Sequence, residues 1–209
     1  MSGWQNLDVV TYPGTGALDM PGGRRCTGLQ VTEFVDLTRA AQVPPDRRRS
    51  TGVHFFLPDN LQERAWRDPL GTRKLLSGFG AVIGPTFSVY TDFPLPVRLF
   101  NLYRNAWLCR FFQDGGINVV PVAVFAGDML PACLSVLPEN SVLAFSAVGS
   151  MNSPEKEAEF LRGAGHIIRE KEPLRLVVYG KARGLPEIPT LHIPSFTELL
   201  HQRLGRTGA

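Results

Sequence analysis

The run INVVPVAVF, residues 117–125, has one polar side chain, Asn118, in nine positions. A half-exposed strand alternates apolar and polar residues. A continuous run belongs to a strand covered on both faces, as in a parallel sheet. Two more runs of this kind follow, SVLAFSAVG (141–149) and LRLVVYG (174–180). Working outward, VHFFLPD (53–59) reads as a short strand, and TLHIP (190–194) as a weak last one. AVIG (81–84) and FSVY (87–90) read as one strand region broken by Gly84 and Pro85. Spacings of roughly 25 to 35 residues between runs suit a crossover with its helix. The fold class is therefore α/β: a mainly parallel sheet of about six strands with crossover helices, open or partial barrel-like, since six cannot complete an eight-stranded barrel.

The helices fill the gaps. One is expected from Pro96 to Gln113, with Pro96 in the first turn and Gly115–Gly116 as the stop. A second runs from about Ser153 to Glu170, with Ser153 as N-cap and an apolar stripe of Phe160, Leu161, Ala164, Ile167 and Ile168. The last opens on a capping box, Ser195 and Glu198. Residues 126–140 leave room for one short helix. Residues 1–50 differ in texture and read as a loop-rich N-terminal arm with a short helix beginning near Thr32. Residues 51–209 read as a single α/β domain.

A 44% hydrophobic content excludes a disordered chain, and no apolar run reaches the roughly 18 residues of a membrane span. With no signal-like N-terminus, a cytoplasmic protein is expected. Cys26, Cys109 and Cys133 form no CxxC pair, so neither a metal site nor a disulfide framework is read, and no cofactor. Nucleotide loops of the GxGxxG or GxxxxGK[ST] type are absent.

Ligands of parallel α/β folds gather at the C-terminal strand ends. That rule selects Asp59, Ser88, Tyr90, Asp92, Ser150, Asn152, Tyr179, Lys181, His192 and Ser195. Asp59 and Asp92 could pair as acid and base, or cap turns. The helix after Pro96 adds Arg98, Asn101, Arg104 and Asn105 on one side. Lysine and glutamate are absent from that helix, so the cluster suits fixed hydrogen bonds, whether to a ligand or to neighbouring loops.

GPTFSVYTDFPLPVRLFNLYRNAW, GINVVPVAVF, SVLAFSAVGSM and LVVYGK resemble, in that order, the bacterial and phage family known as domain of unknown function 4417. The resemblance covers about Val53 to Lys181 and implies a bacterial, phage or mobile-element origin without assigning a reaction. The resemblance implies an aspartate after Gly-Pro, where this chain has Thr86.

Two functional readings compete, and both leave open whether the protein is an enzyme. In the first, a small anionic ligand, bearing phosphate or carboxylate, binds at the strand ends. Arg104 and Lys181 hold its charge, Asn105 orients it, Asp92 acts as base or acceptor, and Ser88, Tyr90 and Tyr179 complete the candidate set. In the second, the chain is a nucleic-acid-binding accessory protein of a mobile element. Arg24, Arg25 and Arg47 to Arg49 would contact phosphates, and Trp4, Tyr12 or Trp66 would stack on bases. A factor that binds another protein is a third class.

Overall fold

The computed structural model describes residues 5–15 and 18–206. After a short antiparallel pair, β1 (Gly14–Thr15) and β2 (Met20–Pro21), the strands are all parallel. A four-stranded sheet takes β3 (Glu33–Asp36), β4 (Thr51–His54), β5 (Ala81–Ile83) and β6 (Val119–Val120) in chain order. A three-stranded sheet continues with β7 (Val142–Ser146), β8 (Arg175–Tyr179) and β9 (Thr190–Ile193). A single parallel bridge, Val122 to Ala144, joins the two.

Each strand lies beside its predecessor, so the order never reverses as it does in a doubly wound sheet. Crossovers of one hand then place every helix on the same face. The other face must find apolar cover within the sheet, and it does so by curling. Phe34, Phe56, Ile83, Val120, Ala144, Val177 and Ile193, drawn from every parallel strand or its end, share one inner cluster. Phe56 just after β4 stacks on Tyr179 of β8 with ring centroids 4.5 Å apart. Four strand spacings would separate those strands by about 19 Å in a flat sheet. The architecture is thus a barrel-like roll, although no ladder joins β9 to β3 among the described residues.

Side-chain parity follows from this. In β4, Val53 faces the outer helices while His54 joins the inner rings. Gly52 has no side chain because Phe34 fills its place: a Cβ there would lie 2.5 Å from the Phe34 ring.

Outside, α1 (Asp59–Arg67), α2 (Pro69–Leu76) and α3 (Leu95–Asp114) cover β4 to β6 through Trp66, Leu76, Trp107, Leu108 and Phe112. The short α4 (Leu130–Val136) packs Cys133 beside α5 (Pro154–Lys171), which covers β7 and β8 through Phe160, Ala164 and Ile167. Ser153 caps α5 by accepting from Lys156 N. Ser195 and Glu198 form the capping box of α6 (Phe196–Arg206), each bonding the other's backbone N–H. At the N-terminal end of the roll, the segment before β3 closes the base: Val142 N–H donates to Cys26 O at 2.7 Å, and Asn118 Nδ2 to Gly28 O at 2.9 Å.

Two local expectations are corrected. The helix expected from near Thr32 is strand β3, and helical structure begins only at Leu37 as a 3-10 turn to Gln42, capped by Asp36. Thr32 N–H bonds Ser50 O across to the chain entering β4, so the edge of the sheet captures this segment. FSVY does not extend β5, because side chains rather than a ladder satisfy its backbone there. No helix among the described residues is long and apolar enough to cross a membrane.

Candidate functional site

The polar residues of α3 are buried, and they turn inward onto the chain itself. Asn105 accepts from Phe87 N–H at 2.7 Å and donates to Phe87 O at 2.9 Å, replacing both bonds of a missing strand partner. Asn101 donates to Ser88 O at 2.6 Å. Arg104 pairs with Glu63 of α1 at 2.8 Å, donates to Asn101 Oδ1 at 2.6 Å, and lies 3.7 Å over the Phe87 ring. Ser88 donates its backbone N–H and its hydroxyl to Asp59. Thr86 donates its N–H to Gln62 and its hydroxyl to Phe55 O. Arg98 grips Asp128 with both terminal guanidinium nitrogens.

The structure therefore brings Ser88, Arg104 and Asn105 together, with Asp59, into a lock. It fastens the extended segment after β5 between α1 and α3. Tyr90 and Asp92 stand exposed on the turn that follows, with Tyr90 edge-on to Phe93. Asp59 is engaged by Ser88 and does not pair with Asp92.

Tyr179 and Lys181 lie elsewhere, at the end of β8. The chain turns sharply at Gly180, φ +80°, so the two diverge. Lys181 joins the outer side. There the 180–189 connection contains no helix, and a cleft of about 510 Å³ opens against β8 and β9. Lys181, Arg183 and His192 line it, with Ala182, Leu185 and Pro186 as its apolar part. His192 Nε2 lies 3.0 Å from Gly180 O and 3.7 Å from Glu198 Oε1.

Tyr179 points to the inner side, into the C-terminal mouth of the roll. His54, Phe56 and Tyr179 keep 9%, 7% and 8% of their surface open, whereas Ile83 in the same layer keeps none, so these three rings floor the mouth. His54 lies 5.3 Å from Tyr179 and 5.7 Å from Phe56, ring centre to centre. Its Nδ1 is buried without a partner. Burial lowers the His54 pKa to about 4, against the opposing pull of nearby Asp36. Burial raises that of Tyr179, whose oxygen accepts the Phe196 N–H at 3.2 Å. His54 is not among the residues selected from the sequence. Its signal was positional, as the polar residue at the C-terminal end of an apolar strand.

The basic loops are partly engaged. Arg24 pairs with Asp114 and Arg47 with Glu33, each at 2.6 Å, and Arg48 lies over Phe79. Trp66 is core, Tyr12 packs edge-on against Trp107, and Trp4 lies outside the described residues. Burial also pushes the thiols of Cys109 and Cys133 up to about 12.

A family model described as "Domain of unknown function (DUF4417)" matches residues 12–196. The Gene 1 proteins of Mycobacterium phages D29 and L5 are each 30% identical to this chain over 190 residues. The match covers 86% of this chain, 68% of the D29 protein and 80% of the L5 protein. Among solved structures, alanine racemase from Acinetobacter baumannii superposes with a TM-score of 0.40 at 13% identity, over 83% of this chain and 57% of that one.

Proposed function

The chain belongs to the DUF4417 family, with relatives in mycobacteriophages, and we propose that it binds a small phosphate- or carboxylate-bearing ligand at the C-terminal ends of its last strands. The observation that carries this reading is the cleft beside β8 and β9, where Lys181, Arg183 and His192 meet in a space of about 510 Å³. Lysine and arginine there are exposed. Glu198 caps Ser195 N–H and faces His192 at 3.7 Å, while Lys181 and Arg183 form no ion pair within 4 Å among the described residues. Charge-assisted hydrogen bonds to an anionic oxygen are about twice as strong as neutral ones. The apolar wall of Leu185 and Pro186 leaves room for an uncharged remainder of the ligand.

Of the residues nominated from sequence, Lys181 makes the direct contact in this reading. Ser88, Arg104 and Asn105 fix the scaffold through their bonds to Asp59, Glu63 and Phe87. Tyr90 and Asp92 stand at an exposed turn. Titration with inorganic phosphate and with glucose 6-phosphate, followed by calorimetry, tests the proposal. Wild-type protein should bind at least one of them, and Lys181→Ala with Arg183→Ala should lower the affinity tenfold or more. Binding that survives the double substitution would overturn it.

A further inference from the structure

His54 is more than nine-tenths buried and makes no hydrogen bond to any described residue, and its Nδ1 is sealed from solvent. A neutral imidazole carries one proton, on one of two nitrogens. Placed on the sealed Nδ1, that proton would be a buried donor without an acceptor, which costs about 1–3 kcal/mol. A bare lone pair in the same position is tolerated more readily. The proton therefore belongs on Nε2, the ring nitrogen on the open side.

Tyr179 beside it is half of a similar arrangement. Its oxygen already accepts from Phe196 N–H, so its own proton is free to be donated, and it has no acceptor among the described residues. The phenol and the imidazole lie with ring centres 5.3 Å apart, and Phe56 stacks flat against the tyrosine at 4.5 Å and 12°. The mouth floor thus combines two uncharged donors with a flat apolar wall. Asp36 stands in register with His54 on the next strand. Its carboxylate, which also faces Arg39 at 3.4 Å, disfavours a second anion in this place, while leaving a neutral oxygen acceptable.

We infer that His54 Nε2–H and Tyr179 O–H form a binding subsite for the carbonyl oxygen of an uncharged planar group, at the barrel mouth and separate from the cationic cleft. The two sites differ in what they select. The cleft beyond Gly180 presents positive charge, and the mouth presents neutral donors that hold an oxygen without neutralising it.

The matched probes are benzamide and benzoate, which share a ring and differ in charge. Nitrogen-15 NMR of the full-length protein at pH 7 should first show the His54 proton on Nε2; a proton on Nδ1 would overturn the inference. Benzamide should then perturb the His54 and Tyr179 ring signals and bind more tightly there than benzoate. His54→Phe and Tyr179→Phe keep the ring packing and should each weaken benzamide at least tenfold. Unchanged affinity in both variants, or no perturbation by benzamide at millimolar concentration, would refute the subsite. Lys181→Ala with Arg183→Ala should leave benzamide binding intact, so failure of the cleft and failure of the mouth are read separately.

Discussion

The lock around α3 and the floor of the mouth are both buried polar clusters, yet they differ in how their hydrogen bonds are satisfied. In the lock, Asn105 meets both polar groups of Phe87, Asn101 meets Ser88 O, and Arg104 meets Glu63 and Asn101, with only its Nε buried and unpartnered among these side chains. On the floor, His54 makes no hydrogen bond to the described residues and Tyr179 finds no acceptor among them. Both clusters consist of residue types that suggest a site when read in sequence. Whether their bonds close within the chain or stay open separates a fastening from a place that can receive something.

The largest effect expected from disturbing this contrast is in the lock. Asn105→Ala leaves a buried N–H and a buried C=O of Phe87 unpaired, and should cost about 4 kcal/mol in urea unfolding. A change below about 1 kcal/mol would mean that the segment after β5 is held by packing instead.

The next effect concerns the floor and depends on pH. His54 titrates at about 4 when folded, against 6.5 when unfolded. The unfolded chain therefore takes up this proton first. The associated stability, about 3 kcal/mol, is complete above pH 6.5 and is lost as pH falls towards 4. His54→Phe should flatten that part of the stability profile. An unaltered profile in the variant would show that the imidazole is not sealed away.

Gly52→Ala should cost about 2 kcal/mol, because the added methyl must displace the Phe34 ring from the inner layer. A neutral outcome would mean that the roll is looser at β3 and β4 than its shared core indicates. The smallest effect is at α6, where Ser195→Ala removes the acceptor for Glu198 N–H and should cost about 1 kcal/mol in thermal unfolding.

Much of the fold was legible in the sequence because buried parallel strands leave a strong local pattern. Residues 117–125, 141–149 and 174–180 contain strands or their bridges, and the caps at Ser153 and Ser195 hold as read. Strand β3 was not legible, because Glu33–Asp36 is four residues long, half-buried throughout, and followed by helix-like spacing at Leu37 and Ala40. Its identity as a strand comes from pairing with β4, a non-local fact.

The site divided along the same line. Composition showed that Arg104 and Asn105 want fixed hydrogen bonds, but their partners, Glu63 with Asn101 for the arginine and the backbone of Phe87 for the asparagine, are consequences of the fold. Lys181 and His192 were placed by their strand ends, whereas Arg183 joins them only because the 180–189 connection lacks a helix. His54 and Tyr179 meet across the curl of the sheet, and no local spacing encodes that meeting.

Thermal unfolding of wild type, Arg104→Ala and Lys181→Ala, each with and without excess inorganic phosphate, sets the fastening against the proposed anion cleft in one experiment. A ligand at about 100 times its dissociation constant adds roughly 2.7 kcal/mol to stability, well within reach of such a melt. The account expects Arg104→Ala to unfold at lower temperature while keeping the phosphate-induced rise, and Lys181→Ala to unfold like wild type with a clearly smaller rise. The reverse pattern, a stable Arg104→Ala without the phosphate response, would place the ligand in the α3 cluster and contradict the account.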